Sequence, residues 1–198
     1  MRKIDELFEN PIDHVCISIA EIFVPTLHAL GITPNQVTTF GNILRIASIY
    51  YLKRGNNFGF LVTSILSYIS DCVDGHLARS TNQTSSFGDW YDHISDVVYH
   101  VILIYLIFSS NTLNRFSFYA KMGLIFLLVA EMFLCLKHIG CQESMYQDTQ
   151  NTESPTLSFF QSLCENPKII NWTKYFGCGT LAFMIYIFIY LYFQSSEH

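Results

Sequence analysis

The chain has 198 residues, of which 51% are hydrophobic, 16% aromatic and only 14% charged. A soluble domain of this size carries nearer a quarter charged residues, so the surplus apolar surface is expected to face lipid. The net charge of -5, with eleven Lys and Arg scattered between apolar blocks, excludes a general nucleic-acid binder, which needs a basic face to neutralise phosphates.

Met1 to Asn10 mixes charges without an apolar core, a pattern that excludes a cleaved signal peptide and assigns membrane insertion to internal helices. Residues 11–30 are interrupted by Asp13, His14, Glu21 and His28 and bent at Pro25, and read as an amphipathic helix lying in the interface. The expected organisation is an N-terminal interfacial segment, 1–32, and a transmembrane domain, 33–198. Thr33 and Pro34 open the first span as N-cap and first helical residue, and the apolar run continues to Tyr51 before Lys53-Arg54-Gly55 stops it. Further spans are expected from about Phe58 to Arg79, Gly88 to Phe108, Phe116 to Lys137 and Ile169 to Phe193. The predicted fold is an all-α membrane bundle of about five to six transmembrane helices. Residues 140–166 turn polar and read as a functional loop, with a short helix over Thr156 to Leu163 lying on the membrane.

Six cysteines without a Cys-x-x-Cys pair read as buried reduced thiols, Cys141 and Cys164 being the only two placed to cross-link. With the N-terminus in the cytosol, Arg2, Lys3, Arg79, Lys137, Lys168 and Lys174 lie inside, against Lys53, Arg54, Arg115 and Lys121 outside. This small positive-inside excess predicts a cytosolic mouth for whatever lies between the second and third spans.

That junction holds Asp71-Cys-Val-Asp74-Gly75-His-Leu-Ala78-Arg79, a spacer over 80–87, and Gly88-Asp-Trp-Tyr-Asp92-His-Ile-Ser-Asp96. On a helix, Asp71, Asp74, Gly75 and Ala78 share one face, and Gly88, Asp92 and Asp96 share another. A hairpin of the two helices would gather four carboxylates around one cavity, with the glycines admitting backbone or ligand. Carboxylates so placed in apolar surroundings repel one another unless cations compensate them. An oxygen-only ligand set points to magnesium, manganese or calcium. Arg79, one turn beyond Asp74, suits bidentate contact with phosphate oxygens. Arg45 and Glu131 lie deep in their spans and are expected to face the interior, either binding an acceptor or pairing structurally. Asp89 is assigned to the helix N-terminus, His93 to supporting contacts rather than ligation, and Lys137 with His138 to snorkelling at the end of the fourth span.

The pattern Asp-x2-Asp-Gly-x2-Ala-Arg-x8-Gly-x3-Asp-x3-Asp resembles the signature of the class I CDP-alcohol phosphotransferases, with every signature position occupied. Pro34-Asn35-Gln-Val-Thr38 is similar to the Pro-Asn-x-x-Thr that opens that family's first membrane helix. The resemblance implies an enzyme of phospholipid synthesis that moves a phosphoryl-alcohol group from a CDP-alcohol to an acceptor alcohol and releases CMP. It implies two Mg2+ or Mn2+ ions held by Asp71, Asp74, Asp92 and Asp96, with Asp96 also the base for the acceptor hydroxyl, and a CDP cradle of Gly75, Ala78, Arg79 and Gly88. The family core has six membrane helices against the five counted here.

The substrates stay open at this point. Arg79-Ser-Thr-Asn with Asp92-His93 looks like the branch that uses CDP-choline or CDP-ethanolamine with diacylglycerol, to which the reading leans. Asn82-Gln83 before Phe87-Gly88 looks like the branch that uses CDP-diacylglycerol with inositol or another polar alcohol. Partners are thus the donor, the acceptor and membrane lipids, with room for a homodimer and none for nucleic acid. Two other classes explain part of the pattern: a cation carrier or channel, which leaves Ala78, Arg79 and the glycines unused, and a non-catalytic membrane scaffold.

Overall fold

A computed structural model describes residues 2–109, 117–150 and 154–194. Helices dominate, and no strand occurs among the described residues: α1 (Pro11–Ala29), α2 (Pro34–Lys53), α3 (Asn57–Ser80), α4 (Ser86–Ser109), α5 (Phe118–Gln150), α6 (Ile170–Thr173) and α7 (Cys178–Gln194). Their starts follow local chemistry. Asn10 accepts from the Ile12 amide at 3.0 Å with Pro11 at the first position of α1. Thr33 precedes Pro34 as expected, its own amide donating to Gln36 Oε1 at 2.9 Å. Between α3 and α4 the chain reverses through Asn82, whose φ of 55° is a left-handed conformation that Asn tolerates well.

The bundle is apolar outside and polar within. Ile43, Ile46 and Tyr50 on α2, Val97, Val101 and Tyr105 on α4, and Phe126, Val129 and Phe133 on α5 are exposed at helical spacing. Meanwhile Thr38, Arg45, Ser48, Ser64, Ser67, Asp74 and Glu131 are buried. Water would reverse this distribution, and lipid favours it. The chain is therefore an all-α integral membrane protein.

By length and composition, four described stretches suffice to cross a membrane: Pro11–Ala29, Ser86–Ser109, Phe118–Gln147 and Pro167–Phe193. The first is the segment expected to lie in the interface. Two of the polar residues behind that expectation are satisfied locally, since Asp13 accepts from Tyr68 Oη at 2.5 Å and Glu21 from Arg2 Nε at 2.9 Å. α1 packs on α3 and α7, and Lys3 ahead of it and Pro34 after it lie at the same end of the bundle. α2 and α3 fall outside the four because they carry the charged and hydroxylic residues of the interior.

α2 lies close to both α3 and α4 and holds them together. Tyr99 Oη on α4 lies 2.8 Å from both Ser48 Oγ on α2 and Ser64 Oγ on α3, and Asn42 Nδ2 on α2 donates to Ser95 Oγ on α4 at 3.0 Å. Hydroxyl and amide bonds of this kind substitute for the hydrophobic drive that lipid removes.

α5 departs from expectation at its far end. The fourth span, expected to start at Phe116 and end at Lys137, continues as helix through residues 140–150; Phe116 and Arg115 lie outside the described residues. At about 1.5 Å per residue the helix is on the order of 50 Å long, well beyond a ~30 Å hydrocarbon core, so its last turns stand clear of the lipid. His138 is buried against Gly177 rather than snorkelling, while Lys137 pairs with Glu165 at 3.7 Å. Cys141 and Cys164 form a disulfide, where reduced thiols were expected, because the chain returns over α5 and brings the two together. A 3-10 turn, Ser158–Leu163, takes the place of the predicted short helix.

That return is seated on Gly140, where a Cβ would fall 2.1 Å from the Phe160 carbonyl oxygen. Gly140→Ala should displace the returning segment and cost roughly 1–3 kcal/mol. Thermal unfolding in detergent checks this, and an unchanged midpoint would mean that the segment does not rest there.

Candidate active site

The start of α2, the end of α3 and the start of α4 meet at one end of the bundle. Asp71 on α3 with Asp92 and Asp96 on α4 each offer a carboxylate oxygen, all within 4.8 Å of one another. Their negative charge is met by Arg45 from α2, whose Nη2 donates to Asp71 Oδ1 at 2.9 Å and to Asp96 Oδ1 in a close ion pair. Arg45 is only 6% exposed, and its Nη1 donates to Asn42 Oδ1 at 2.9 Å. The open choice at this residue resolves to pairing with the acids. Glu131, the other interior charge, is buried on α5 with Oε1 unpartnered.

Asp74 does not join the three-acid group. Its Oδ2 accepts from Thr38 Oγ1 of α2 at 2.5 Å, within the same end of the bundle. Asp92 Oδ1 is buried without a hydrogen-bond partner. An orphaned carboxylate oxygen inside an oxygen-only cluster suits a hard divalent cation, which satisfies several such oxygens at once. The acid cluster therefore fits a metal of that class.

Beside it opens a recess of ≈ 160 Å³ whose walls include Asp74, Gly75, Ala78 and Arg79 from α3 and Gly88, Asp92 and His93 from α4. The four residues expected to cradle the nucleotide thus share one cavity with two of the acids. Gly75 leaves room for the Arg79 guanidinium, since a Cβ there would stand 3.1 Å from Nη1. At Gly88 a Cβ would stand 3.0 Å from Asn35 Oδ1 and 3.1 Å from Ser85 Oγ, so the absent side chain lets α2 and the α3–α4 turn close on each other. Asn35 near the N-terminus of α2 and Gly88 near that of α4 bring two helix N-termini to the recess, favourable surroundings for an anion.

Several lining residues escaped sequence reasoning as site members. Asn35 and Thr38 belong to the Pro-Asn-x-x-Thr run, which signalled a helix start without revealing that its polar side chains face the acids. Asp89 organises the returning segment: Oδ1 accepts from Ser154 Oγ at 2.7 Å, and Oδ2 from the Thr156 amide at 3.0 Å and its hydroxyl at 2.6 Å. His93 Nδ1 lies 2.7 Å from that same hydroxyl, a supporting contact as expected. Lys3 also reaches the recess, with no motif to announce it.

The family model described as CDP-alcohol phosphatidyltransferase matches residues 31–196. Among curated relatives, the archaetidylinositol phosphate synthase of Pyrococcus horikoshii is 35% identical over 36% of this chain and 38% of its own length. The CDP-diacylglycerol--glycerol-3-phosphate 3-phosphatidyltransferase of Aquifex aeolicus is 28% identical over 57% of this chain and 65% of its own. The CDP-diacylglycerol--serine O-phosphatidyltransferase of Helicobacter pylori is 35% identical over 36% of this chain and 30% of its own. The alignments thus span less than two thirds of each relative's length. No solved structure gives a significant match.

The Arg45 pairing carries a direct prediction. Arg45→Met removes the internal cation and leaves Asp71 and Asp96 unmatched, a loss on the order of 3–5 kcal/mol. Unfolding measured in a chelator should show that loss, and added Mg2+ should recover more stability in the variant than in the parent. Equal Mg2+ effects would mean that Arg45 does not share charge compensation with a bound ion.

Proposed function

Because the chain belongs to the CDP-alcohol phosphatidyltransferase family, we propose that it transfers a phosphoryl-alcohol group from a CDP-linked donor to an acceptor alcohol in phospholipid synthesis, releasing CMP. The observation that carries the reading is the convergence of Asp71, Asp92 and Asp96 beside a recess lined by Gly75, Ala78, Arg79 and Gly88. A carrier or scaffold has no use for that cradle.

In this proposal the donor diphosphate lies in the recess between Gly75 and Gly88, where the missing side chains let Arg79 and Asn35 close around it, and Arg79 grips its oxygens with a planar fork. Asp96 accepts the proton of the acceptor hydroxyl as the new bond to phosphorus forms and the bond to the CMP oxygen breaks. Arg45 orients Asp96 through their ion pair. Asp71, Asp74, Asp92 and Asp96 would hold divalent ions, which supply compensation for the charge of the diphosphate and of the departing CMP. Thr38, bonded to Asp74, fixes that carboxylate against α2.

The relatives' names favour CDP-diacylglycerol as donor and a polar alcohol as acceptor over CDP-choline or CDP-ethanolamine with diacylglycerol. The positive-inside excess supports a site facing the cytosol. The test is to incubate purified protein with a panel of CDP-alcohols, acceptors and divalent ions, then identify the lipid formed alongside CMP. CMP formed with a new phosphodiester lipid supports the reading. No CMP from any donor, with divalent ions entering protein-containing vesicles, would replace it with an ion carrier.

Asp92→Asn and Asp71→Asn should each abolish turnover while the protein still inserts and folds, because each removes charge from the cluster that compensates the transition state. Full activity in either variant at saturating Mg2+ or Mn2+ defeats the metal reading. Arg79→Lys should chiefly raise the donor KM, since a point-like ammonium does not reproduce the guanidinium fork, with the acceptor KM little changed. Near-normal donor KM in Arg79→Lys would take the guanidinium out of the cradle.

A further inference from the structure

We infer that Lys3, from the segment ahead of α1, supplies a second cation to the donor's diphosphate in the same recess; the inference rests on the CDP-alcohol reading above. Lys3 lies outside residues 31–196, the part of the chain that the family model matches. Nevertheless it lines the recess together with Gly75, Ala78, Arg79 and Gly88.

Its position is built by the fold. Ile4 is buried in a cluster with Cys141 and Ile170, against which Phe8, Met145 and Cys164 also pack, so the disulfide-linked return of the chain forms the seat for the N-terminal segment. Asn10 anchors the other end, its Nδ2 donating to the Lys174 carbonyl at 2.6 Å and to Thr180 Oγ1 at 2.7 Å. Arg2 pairs with Glu9 and Glu21 and turns away from the recess. Lys3 lines it, while its ammonium donates to Glu143 Oε1 and lies 5.6 Å from the Tyr146 ring centroid, both on the projecting end of α5.

Glu143 explains why this lysine is held ready for an anion. Its residue is 1% exposed, and Oε2 is buried without a hydrogen-bond partner. Lys3 therefore pairs with a carboxylate buried in the interior, and that pair fixes the lysine where it lines the recess. An ammonium has three donors, so it can keep Glu143 and still give one to a phosphate oxygen. The three acids at the recess, Asp74, Asp89 and Asp92, are repulsive to a diphosphate, and Arg79 and Lys3 are its two permanent cations.

The test uses the full chain in detergent or bilayer discs, with equilibrium binding of CDP-diacylglycerol and steady-state turnover. Lys3→Met should weaken donor binding roughly 10-fold or more, with kcat and acceptor KM little changed, and Lys3→Arg should retain most of the affinity. Because Lys3→Met strands Glu143, the double variant Lys3→Met with Glu143→Met removes both charges and should regain thermal stability while donor binding stays weak. Recovery of wild-type donor affinity in that double variant would show a structural ion pair and overturn the inference. So would a loss confined to acceptor KM, which would mean that the ammonium meets a phosphate of the acceptor. Absence of turnover in the unmodified chain would instead count against the enzymatic reading itself, so the two failures are distinguishable.

Discussion

The ion pairs of Arg45 with Asp71 and Asp96 are the constraint around which this bundle is arranged. Acids on two helices come within a few ångströms of one another here, and in apolar surroundings their repulsion opposes that approach. A guanidinium supplied by the third helix offsets the repulsion from inside. This explains why α2 sits close to both α3 and α4, and why it buries Thr38, Arg45 and Ser48 between Val37 and Leu52. Tyr99 extends the same seam deeper, joining all three helices through hydroxyls.

The polar interior also has a spatial gradient. Near the closed part of the bundle it is a network of hydroxyls, each satisfied by a neighbour. Toward the open end it becomes the acid cluster and then the recess, where Asp92 keeps an unpartnered oxygen. Segments far apart in sequence meet around it: Lys3 from ahead of α1 lines the recess, and the return of the chain is held to Asp89 by Thr156 and to α5 by the Cys141–Cys164 disulfide.

Much of the membrane architecture was legible because periodicity and caps are local properties. Thr33 and Pro34 started a helix where they were expected to, and Gly75, Ala78 and Arg79 line one cavity because helical spacing puts them on one side of α3. Less legible were the partners of α1, since Asp13 and Glu21 are met by Tyr68 and Arg2 from outside their own helix. The end of α5 was similarly hidden, since a helix that leaves the membrane turns polar and resembles a loop in composition alone.

By itself the sequence determined the class of the protein, the helical faces and the residue types gathered at the junction of α3 and α4, because these depend on composition and on spacing along a single helix. Only the tertiary structure decided that Asp71, Asp92 and Asp96 form the close group while Asp74 turns to Thr38, that Arg45 compensates the group, and that Lys3 reaches the recess. Those outcomes depend on which side chains from different helices meet. Such distances are set by packing and charge balance across the bundle, and no local pattern in the chain encodes them.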